Sequence, residues 1–267
     1  MQPTRSLFTR RLLAMIALLV LFFGYTGIAA ETATAPVYLG TDLTVFQQLL
    51  PPPPPDDSPA GRADLAVVLR LQAERTPEQV ARAQQLAAHT PFLMGAEAWG
   101  AEFTPENLPE TAKIFKAVRD QSRPAILAAK AGWARPRPYQ RDMRVTPCVP
   151  KPASSSYPSG HSVESALWAA IMAAAFPEKA ACFEKHVEDT MWSRIVGGAH
   201  YPTDTQAGRM LGEEIARKML ESADLQSALE IIRTETSGLL GAQTVLSAGG
   251  HPPSPARDHD ALSSSGN

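Results

Sequence analysis

The sequence predicts an all-α fold: a single-domain helical bundle whose helices are joined by proline-rich connections. Apolar residues recur at helical spacing through most of the chain after residue 60, and capping side chains stand next to prolines where several of these segments begin. No segment shows the alternating polar and apolar pattern of a half-buried strand. The 267 residues, 44% of them hydrophobic, suffice for one substantial core.

The first thirty residues predict a secretory signal peptide, residues 1–30. Arg5, Arg10 and Arg11 precede an apolar run over residues 12–23, and small residues follow over 24–30. This three-part pattern is typical of a leader that is cleaved on export. An uncleaved anchor is the alternative, but the glycines that interrupt the run favour cleavage. We therefore expect a periplasmic or secreted protein.

After the leader, the chain is expected to pass from a strap into a domain and then into a tail. Residues 31–60 are predicted to be an extended, proline-rich strap, with a polyproline run over 51–55. The helical domain is predicted to span 61–236. Its predicted helices cover 64–73, a segment starting at Thr76, a segment starting near Thr104, 108–120, 124–131, 162–175, 178–194, 203–221 and 225–233. Residues 237–267, rich in Gly, Ser, Pro and Ala, are predicted to be disordered.

The charge and composition of the chain limit the kinds of partner and cofactor that it is expected to bind. A net charge of −2 provides no basic surface for nucleic acid, and no segment after the leader is long and apolar enough for a stable membrane span. No His, Cys or acidic residues stand at metal-ligand spacing, so neither a metal nor another cofactor is expected. The sequence does not decide whether Cys148 and Cys182 form a disulfide. The oligomeric state is open too, a homo-oligomer included.

Three clusters of polar residues carry the chemical prediction. The first has Lys130 near a helix end, followed by Arg137 in a turn between prolines. Arginine binds phosphate in a bidentate way, and lysine adds a point charge. Taken alone, however, basic residues at a helix C-terminus are accounted for by the helix dipole.

The second cluster, Pro158-Ser159-Gly160-His161, stands where a helix is predicted to begin. Ser159 suits a helix cap, and Gly160 allows a ligand to approach the backbone closely. The first N–H groups of a helix have no intrahelical partner, so they can bind an anion beside His161. A plain capped helix with a surface histidine is the alternative.

The third cluster comprises Arg194, His200 and Asp204. A carboxylate that accepts one ring N–H of a neutral histidine leaves the other ring nitrogen with a free lone pair. Such a nitrogen can attack an electrophile. A histidine and an aspartate that merely share a turn are the alternative.

Together the clusters indicate phosphoryl transfer. Two arginines and a lysine can surround the oxygens of a phosphoryl group through charge-assisted hydrogen bonds. Two histidines can divide the work, one attacking phosphorus while the other protonates the leaving oxygen. The cationic side chains neutralise the charge that a metal ion would otherwise handle.

In this combination the residues resemble the three-part signature of the phosphatidic-acid-phosphatase type 2 (PAP2) superfamily, which also contains the vanadium haloperoxidases. Within that superfamily the chain is similar to the bacterial class A non-specific acid phosphatases. The similarity includes the leader, the LLPPPPP strap, the FLMG segment and the SYPSGH box, and it covers roughly residues 38–222.

The resemblance implies a role for each residue. His200 would be the nucleophile that becomes phosphohistidine, Asp204 its orienting carboxylate, and His161 the general acid and later the base. The residues that would bind the phosphoryl oxygens are Lys130, Arg137, Ser159, Gly160 and Arg194. The implied activity is metal-independent hydrolysis of small phosphomonoesters at acid pH, with transfer of phosphate to alcohols through the same intermediate.

Three alternatives stay open. The same site would hold vanadate in a haloperoxidase, or it would serve a soluble phosphatase that acts on a lipid or isoprenoid phosphate. A non-catalytic protein would bind an anion with the basic residues alone. Since anion binding does not require His161, His200 or Asp204, their presence favours an enzyme.

Overall fold

Helices make up all the regular secondary structure of residues 35–248, the part of the chain that this computed structural model describes. No strand occurs within these residues, which confirms the all-α prediction. In chain order the helices are α1 (Thr44–Leu49), α2 (Pro59–Glu74), α3 (Pro77–Leu86), α4 (Pro91–Trp99), α5 (Pro109–Ala131), α6 (Pro138–Arg141), α7 (Gly160–Ala175), α8 (Ala180–Val196), α9 (Pro202–Leu220) and α10 (Ala223–Ala248), with a 3₁₀ turn at Pro177–Lys179. The predicted leader and residues 249–267 of the predicted tail lie outside the described residues.

Several helices begin where a hydroxyl side chain caps a free backbone N–H. Before α2, Ser58 Oγ accepts from Gly61 N at 3.0 Å. Before α3, Thr76 Oγ1 accepts from Gln79 N at 3.3 Å, and Gln79 Oε1 accepts from Thr76 N at 2.9 Å. This reciprocal pair is the capping box that the sequence predicts at Thr76. Ser159 caps α7 in a similar way.

Helix α7 is mostly buried and packs closely against α8 and α9. Two glycines allow α9 to approach it. A Cβ atom added at Gly208 would lie 2.5 Å from the carbonyl oxygen of Ser159, and one added at Gly212 would lie 2.2 Å from that of Val163. The glycines therefore let α9 approach the first turn of α7, which carries candidate site residues, through direct backbone contact.

The predicted strap contributes to the core and does not only cover it. It contains the short helix α1, whereas an extended segment was expected. Tyr38, Phe46 and Leu50 are buried in the main core, and Tyr157 Oη donates to Pro51 O at 2.6 Å. The sequence does not predict α1, because six helical residues are too few to show an apolar period.

Three features of the middle of the chain differ from the prediction. The helix start expected near Thr104 is a turn, in which Thr104 Oγ1 accepts from Asn107 N at 3.3 Å, and α5 begins at Pro109. From there α5 runs without a break through Pro124. Helix α4 was not predicted, because its nine residues are mostly apolar and show no clear helical period.

The end of the fold also differs. A short helix over 225–233 and a disordered tail from 237 were expected, but α10 runs from Ala223 to Ala248. Leu239, in the predicted tail, packs against the main core. Because extending a nucleated helix costs little, glycines such as Gly238 and Gly241 do not end it.

Two further properties bear on the predictions about cysteines and membranes. Cys148 and Cys182, for which the sequence left a disulfide open, are separate free thiols. Within residues 35–248, no helix combines the length and the apolar character that crossing a bilayer requires.

Candidate active site

The segment between α5 and α7 holds two of the predicted cations. Lys130 lies in the last turn of α5, and its Nζ donates to the carbonyl oxygens of Ser155 and Pro158 at 3.0 and 2.6 Å. Arg137 is 2% exposed, and its Nη1 donates to Ala199 O at 2.9 Å. Within the described residues, backbone carbonyls hold both side chains and no carboxylate pairs with them. Their charges therefore stay available to a bound anion.

The second cluster forms the start of α7. Ser159 is fully buried, and its backbone N–H donates to Asp204 O at 2.9 Å. A Cβ atom at Gly160 would lie 3.9 Å from Lys130 Cε, so this glycine and the lysine are neighbours. His161 is partly exposed and donates a ring N–H to the backbone carbonyl of Ala87. That bond fixes the ring and leaves the second ring nitrogen to other partners.

Arg194 gives the strongest indication of a bound ligand. It lies in the last turn of α8 and is 1% exposed. Neither its Nε nor its Nη1 has a hydrogen-bond partner within the described part of the chain. A buried charged donor without an acceptor is costly, and such groups are rare in folded proteins. An anion beside Arg194 would satisfy these donors.

The turn after α8 brings His200 against Asp204. Gly198, with a φ of +71°, reverses the chain, and His200 N donates to Arg194 O at 3.2 Å. His200 Nδ1 lies 3.3 Å from Asp204 Oδ2, and His200 Nε2 lies 3.0 Å from Arg137 Nη1. With its Nδ1–H facing the carboxylate, the ring keeps a lone pair on Nε2. The nitrogen able to attack is thus next to a cation able to hold the group attacked.

Three residues that the sequence analysis missed hold Asp204 in place. Arg135 Nη1 donates to Asp204 Oδ1 at 2.7 Å, and Arg135 Nη2 donates to Asp64 Oδ2 at 2.8 Å. Ser156 Oγ donates to Asp204 Oδ2 at 2.5 Å. The Arg135 guanidinium also lies over the ring of Tyr201, 4.1 Å from its centroid. The sequence could have pointed to Arg135, because it stands between Lys130 and Arg137 in the first cluster. It could not have pointed to Asp64, which comes from the distant helix α2.

Burial and mutual repulsion lower the pKa values of two of the cationic side chains in the site. Burial, reinforced by the charge of Arg137, lowers the pKa of Lys130 to about 8. The same two causes lower the pKa of Arg194 to about 10. Both side chains still carry their charge at neutral and acid pH. An anion among them would relieve the repulsion.

The two histidines of the site are neutral when no anion is bound. Burial lowers the pKa of His200 to about 3, although the hydrogen bond to Asp204 opposes the shift. Burial also lowers the pKa of His161, and the neighbouring His89, Arg194 and His200 lower it further. A neutral His200 suits a nucleophile, whereas a proton donor at His161 needs a compensating negative charge nearby.

The carboxylate of Asp204 is ionised in spite of its burial. Burial opposes its charge, but the hydrogen bond and charge of His200, together with the charge of Arg135, keep the pKa of Asp204 below its usual value. An ionised Asp204 is the form that can accept the Nδ1–H of His200. The pair is therefore arranged to present Nε2 as the reactive nitrogen.

The structure brings the predicted site residues together in one cluster, linked by hydrogen bonds, backbone proximity or charge interactions: Lys130, Arg137, Ser159, Gly160, His161, Arg194, His200 and Asp204. Depth differs within the cluster, since His200 is 1% exposed while His161 is partly exposed. Among residues 35–248, no group of three or more His, Cys, Asp or Glu side chains is arranged to hold a metal ion.

Comparison with known proteins agrees with this arrangement. The family model described as the PAP2 superfamily matches residues 122–222, the part of the chain that contains every predicted site residue. The chain is 27% identical to a non-specific acid phosphatase of Salmonella typhi over 228 residues, 81% of this chain and 91% of the relative. It is 28% identical to that of Salmonella typhimurium over 233 residues, 84% of this chain and 91% of the relative. An acid phosphatase of Zymomonas mobilis is 32% identical over 133 residues, 48% of this chain and 50% of the relative. The resemblance inferred from the three clusters is thereby confirmed.

Proposed function

On the premise that residues 122–222 belong to the PAP2 superfamily, we propose that this protein is an acid phosphatase that hydrolyses phosphomonoesters through a phosphohistidine at His200. The observation that carries the proposal is the buried Arg194 guanidinium, whose Nε and Nη1 lack partners within residues 35–248 and which lies close to two neutral histidines. A phosphoryl group supplies the missing acceptors. Its non-bridging oxygens are bound by Lys130, Arg137 and Arg194, with the Ser159 hydroxyl and the Gly160 N–H beside them.

In the first step, His200 Nε2 attacks phosphorus in line with the ester oxygen. Asp204 holds the ring through Nδ1–H, and the cations neutralise charge on the phosphoryl oxygens. The P–O bond to the leaving group breaks as the N–P bond forms, and His161 gives its proton to the departing oxygen. Because His161 is more exposed than His200, the alcohol leaves toward solvent.

In the second step, the neutral His161 takes a proton from water while the water oxygen attacks phosphorus. The N–P bond breaks, and His200 Nε2 recovers its lone pair. An added alcohol replaces water in the same step and receives the phosphoryl group. The proton on His161 arrives with the substrate, because a bound phosphoryl anion offsets the charges that lower the pKa of His161 in the empty site.

The proposal extends to substrate and location. The Salmonella relatives are named non-specific acid phosphatases, and we propose that this protein likewise accepts a range of small phosphomonoesters. The leader predicted over residues 1–30 would carry it to the periplasm or out of the cell. A panel of nucleotide, sugar, aryl and lipid phosphates, assayed with and without EDTA, separates this proposal from a phosphatase dedicated to lipids. Activity should persist in EDTA, and restoration by a divalent cation alone would contradict metal independence.

The decisive test is a rapid base quench of a labelled substrate, followed by mass spectrometry of the protein. We expect the label on His200 and no turnover by His200→Ala. That variant should still bind vanadate, because the cations that hold the anion remain. A matched control is His186→Ala, which removes another buried histidine of the fold. Label on a different residue, or turnover by His200→Ala equal to that of the wild type, would refute the mechanism.

A further inference from the structure

The side chain of His89 packs against the proposed proton donor. His89 lies between α3 and α4, and its ring centroid is 4.2 Å from that of His161. The centroid of Trp168 lies 4.7 Å from the same ring. His161, Glu164 and Trp168 recur at helical spacing along α7, so they share one face of that helix. His89 therefore docks on the face of α7 that presents the proton donor.

A close contact with a carboxylate anchors His89 in this position. His89 Nε2 lies 2.6 Å from Glu164 Oε2, and the two side chains are only 9% and 13% exposed. Glu164 Oε1 in turn lies 3.4 Å from Arg119 Nε on α5. A largely buried carboxylate thus contacts His89 and links it to Arg119.

The backbone next to His89 serves the same histidine. The carbonyl oxygen of Ala87 accepts a ring N–H from His161. Two residues later, His89 has a φ of +49°, in the left-handed region that residues other than glycine rarely adopt. Such a backbone persists where surrounding contacts over-determine it, and these conformations are frequent near functional sites.

We propose that His89, anchored by Glu164, is a positioning residue of the reaction that holds the His161 ring in the orientation in which it protonates the leaving oxygen. The inference rests on the proposed function, because it requires His161 to be the proton donor. His89 touches neither the phosphoryl group nor the nucleophile in this scheme. It acts on the reaction indirectly. His89 fixes the plane of the His161 ring, and the charged Glu164 side chain holds His89 in place.

The charges facing the two stacked histidines come from several elements. Arg194 on α8 and His200 in the turn after it both disfavour a proton on His161, as does a charge on His89 itself. Burial disfavours a proton on His89, and Arg194 and Arg119 on α5 disfavour it further. Glu164 on α7 opposes these cations. Without its charge, His161 becomes harder to protonate.

Two variants of the full chain test the proposal. His89→Asn removes the ring but keeps a residue that tolerates left-handed backbone. It is assayed with an alkyl phosphate, which has a poor leaving group, and with a dinitrophenyl phosphate, whose leaving group needs little protonation. We expect kcat/KM to fall about tenfold or more for the alkyl ester and less than about threefold for the aryl ester. Glu164→Gln keeps the shape of the anchor without its charge, and it should move the alkaline limb of the alkyl-ester profile to lower pH.

The matched control is His186→Asn, which removes another buried histidine that pairs with a glutamate, its Nδ1 lying 2.7 Å from Glu97 Oε2. This control should leave the ratio of alkyl to aryl turnover unchanged. If His89→Asn loses kcat/KM equally on both esters, so that the ratio of alkyl to aryl turnover stays that of the wild type, the proposal is overturned. If His89→Asn does not fold, an unshifted alkaline limb in Glu164→Gln overturns it. A wild-type protein that hydrolyses neither ester refutes the proposed function, and this inference with it.

Discussion

Replacing Arg135 with methionine should destabilise the fold and weaken catalysis at acid pH. The Arg135 side chain is 3% exposed, and it bridges Asp64 at 2.8 Å and Asp204 at 2.7 Å, both of them buried. Methionine fills similar space without charge or donors. Arg135→Met therefore leaves two carboxylates in the interior with no cation between them.

The magnitude follows from that burial. Removing one partner of a buried ion pair costs about 3–5 kcal/mol, because the remaining charge is uncompensated. For a domain of this size, each kcal/mol lowers Tm by about 2–4 °C, so the expected fall is about 6–20 °C. Adding Asp64→Asn to Arg135→Met removes one of the two orphaned charges. The double variant should therefore recover part of the lost stability.

The assay combines urea denaturation with kcat measured between pH 4.5 and 7.5. Without Arg135, the pKa of Asp204 rises toward acid working pH, and a protonated Asp204 no longer accepts from His200. The relative loss of kcat should therefore grow as pH falls. Arg82→Met is a matched control, because Arg82 also contacts two carboxylates, at 2.6 and 3.2 Å, but is 29% exposed. Its loss of stability should stay within about 1 kcal/mol.

Two outcomes would refute this reasoning about Arg135. One is an Arg135→Met variant as stable as Arg82→Met, since the buried pair would then contribute no more than an exposed one. The other is a loss of kcat that is the same at every pH. In that case Arg135 would support the fold without maintaining the charge of Asp204.

Two further predictions concern helix packing and the charge of the empty site. Gly212→Ala should destabilise the fold by about 1–3 kcal/mol or more, since its Cβ would lie 2.2 Å from Val163 O. Gly238→Ala in α10, with no atom within 4 Å, should stabilise by about 0.5–1 kcal/mol, and equal effects in thermal denaturation would contradict the close packing of α9. Because the folded-state pKa values of His161 and His200 are lowered, the empty protein should lose stability as pH falls below about 6.5. Sulfate, a dianion throughout this range, should bind more tightly as pH falls from 7 to 5, and calorimetry that finds no such trend would contradict the linkage.

The sequence predicted best what is encoded locally. The start of α3 at Thr76 depends on side chains three residues apart, and both members of that capping box can be seen in the printed sequence. Helix α1 could not be predicted in this way, because burial of Phe46 in a distant core stabilises it. The same holds for the end of α10, which Leu239 helps to fix by packing against that core.

The candidate site shows the same division. Its signature residues stand in short motifs, so the sequence could propose them before any fold was known. The residues that support them act over long separations. Asp64 reaches Arg135 from α2, and His89 reaches His161 from the loop before α4. Only the packing of the helices reveals such contacts, since nothing near Asp64 or His89 in sequence marks them.

The charges of the site explain why its supporting residues matter to the chemistry. The nucleophile side holds four cationic side chains and two carboxylates, all largely buried, which leaves an excess of two positive charges: Lys130, Arg135, Arg137 and Arg194 against Asp64 and Asp204. That excess equals the charge of a phosphoryl dianion. In the empty site His161 does not take up a proton, because it is buried and because Arg194 contributes to this positive excess. A bound dianion cancels it, so the group that anchors the substrate to Arg194 also makes the proton donor ready. Water carries no charge and cannot do this, so His161 takes up its proton when an anion occupies the site.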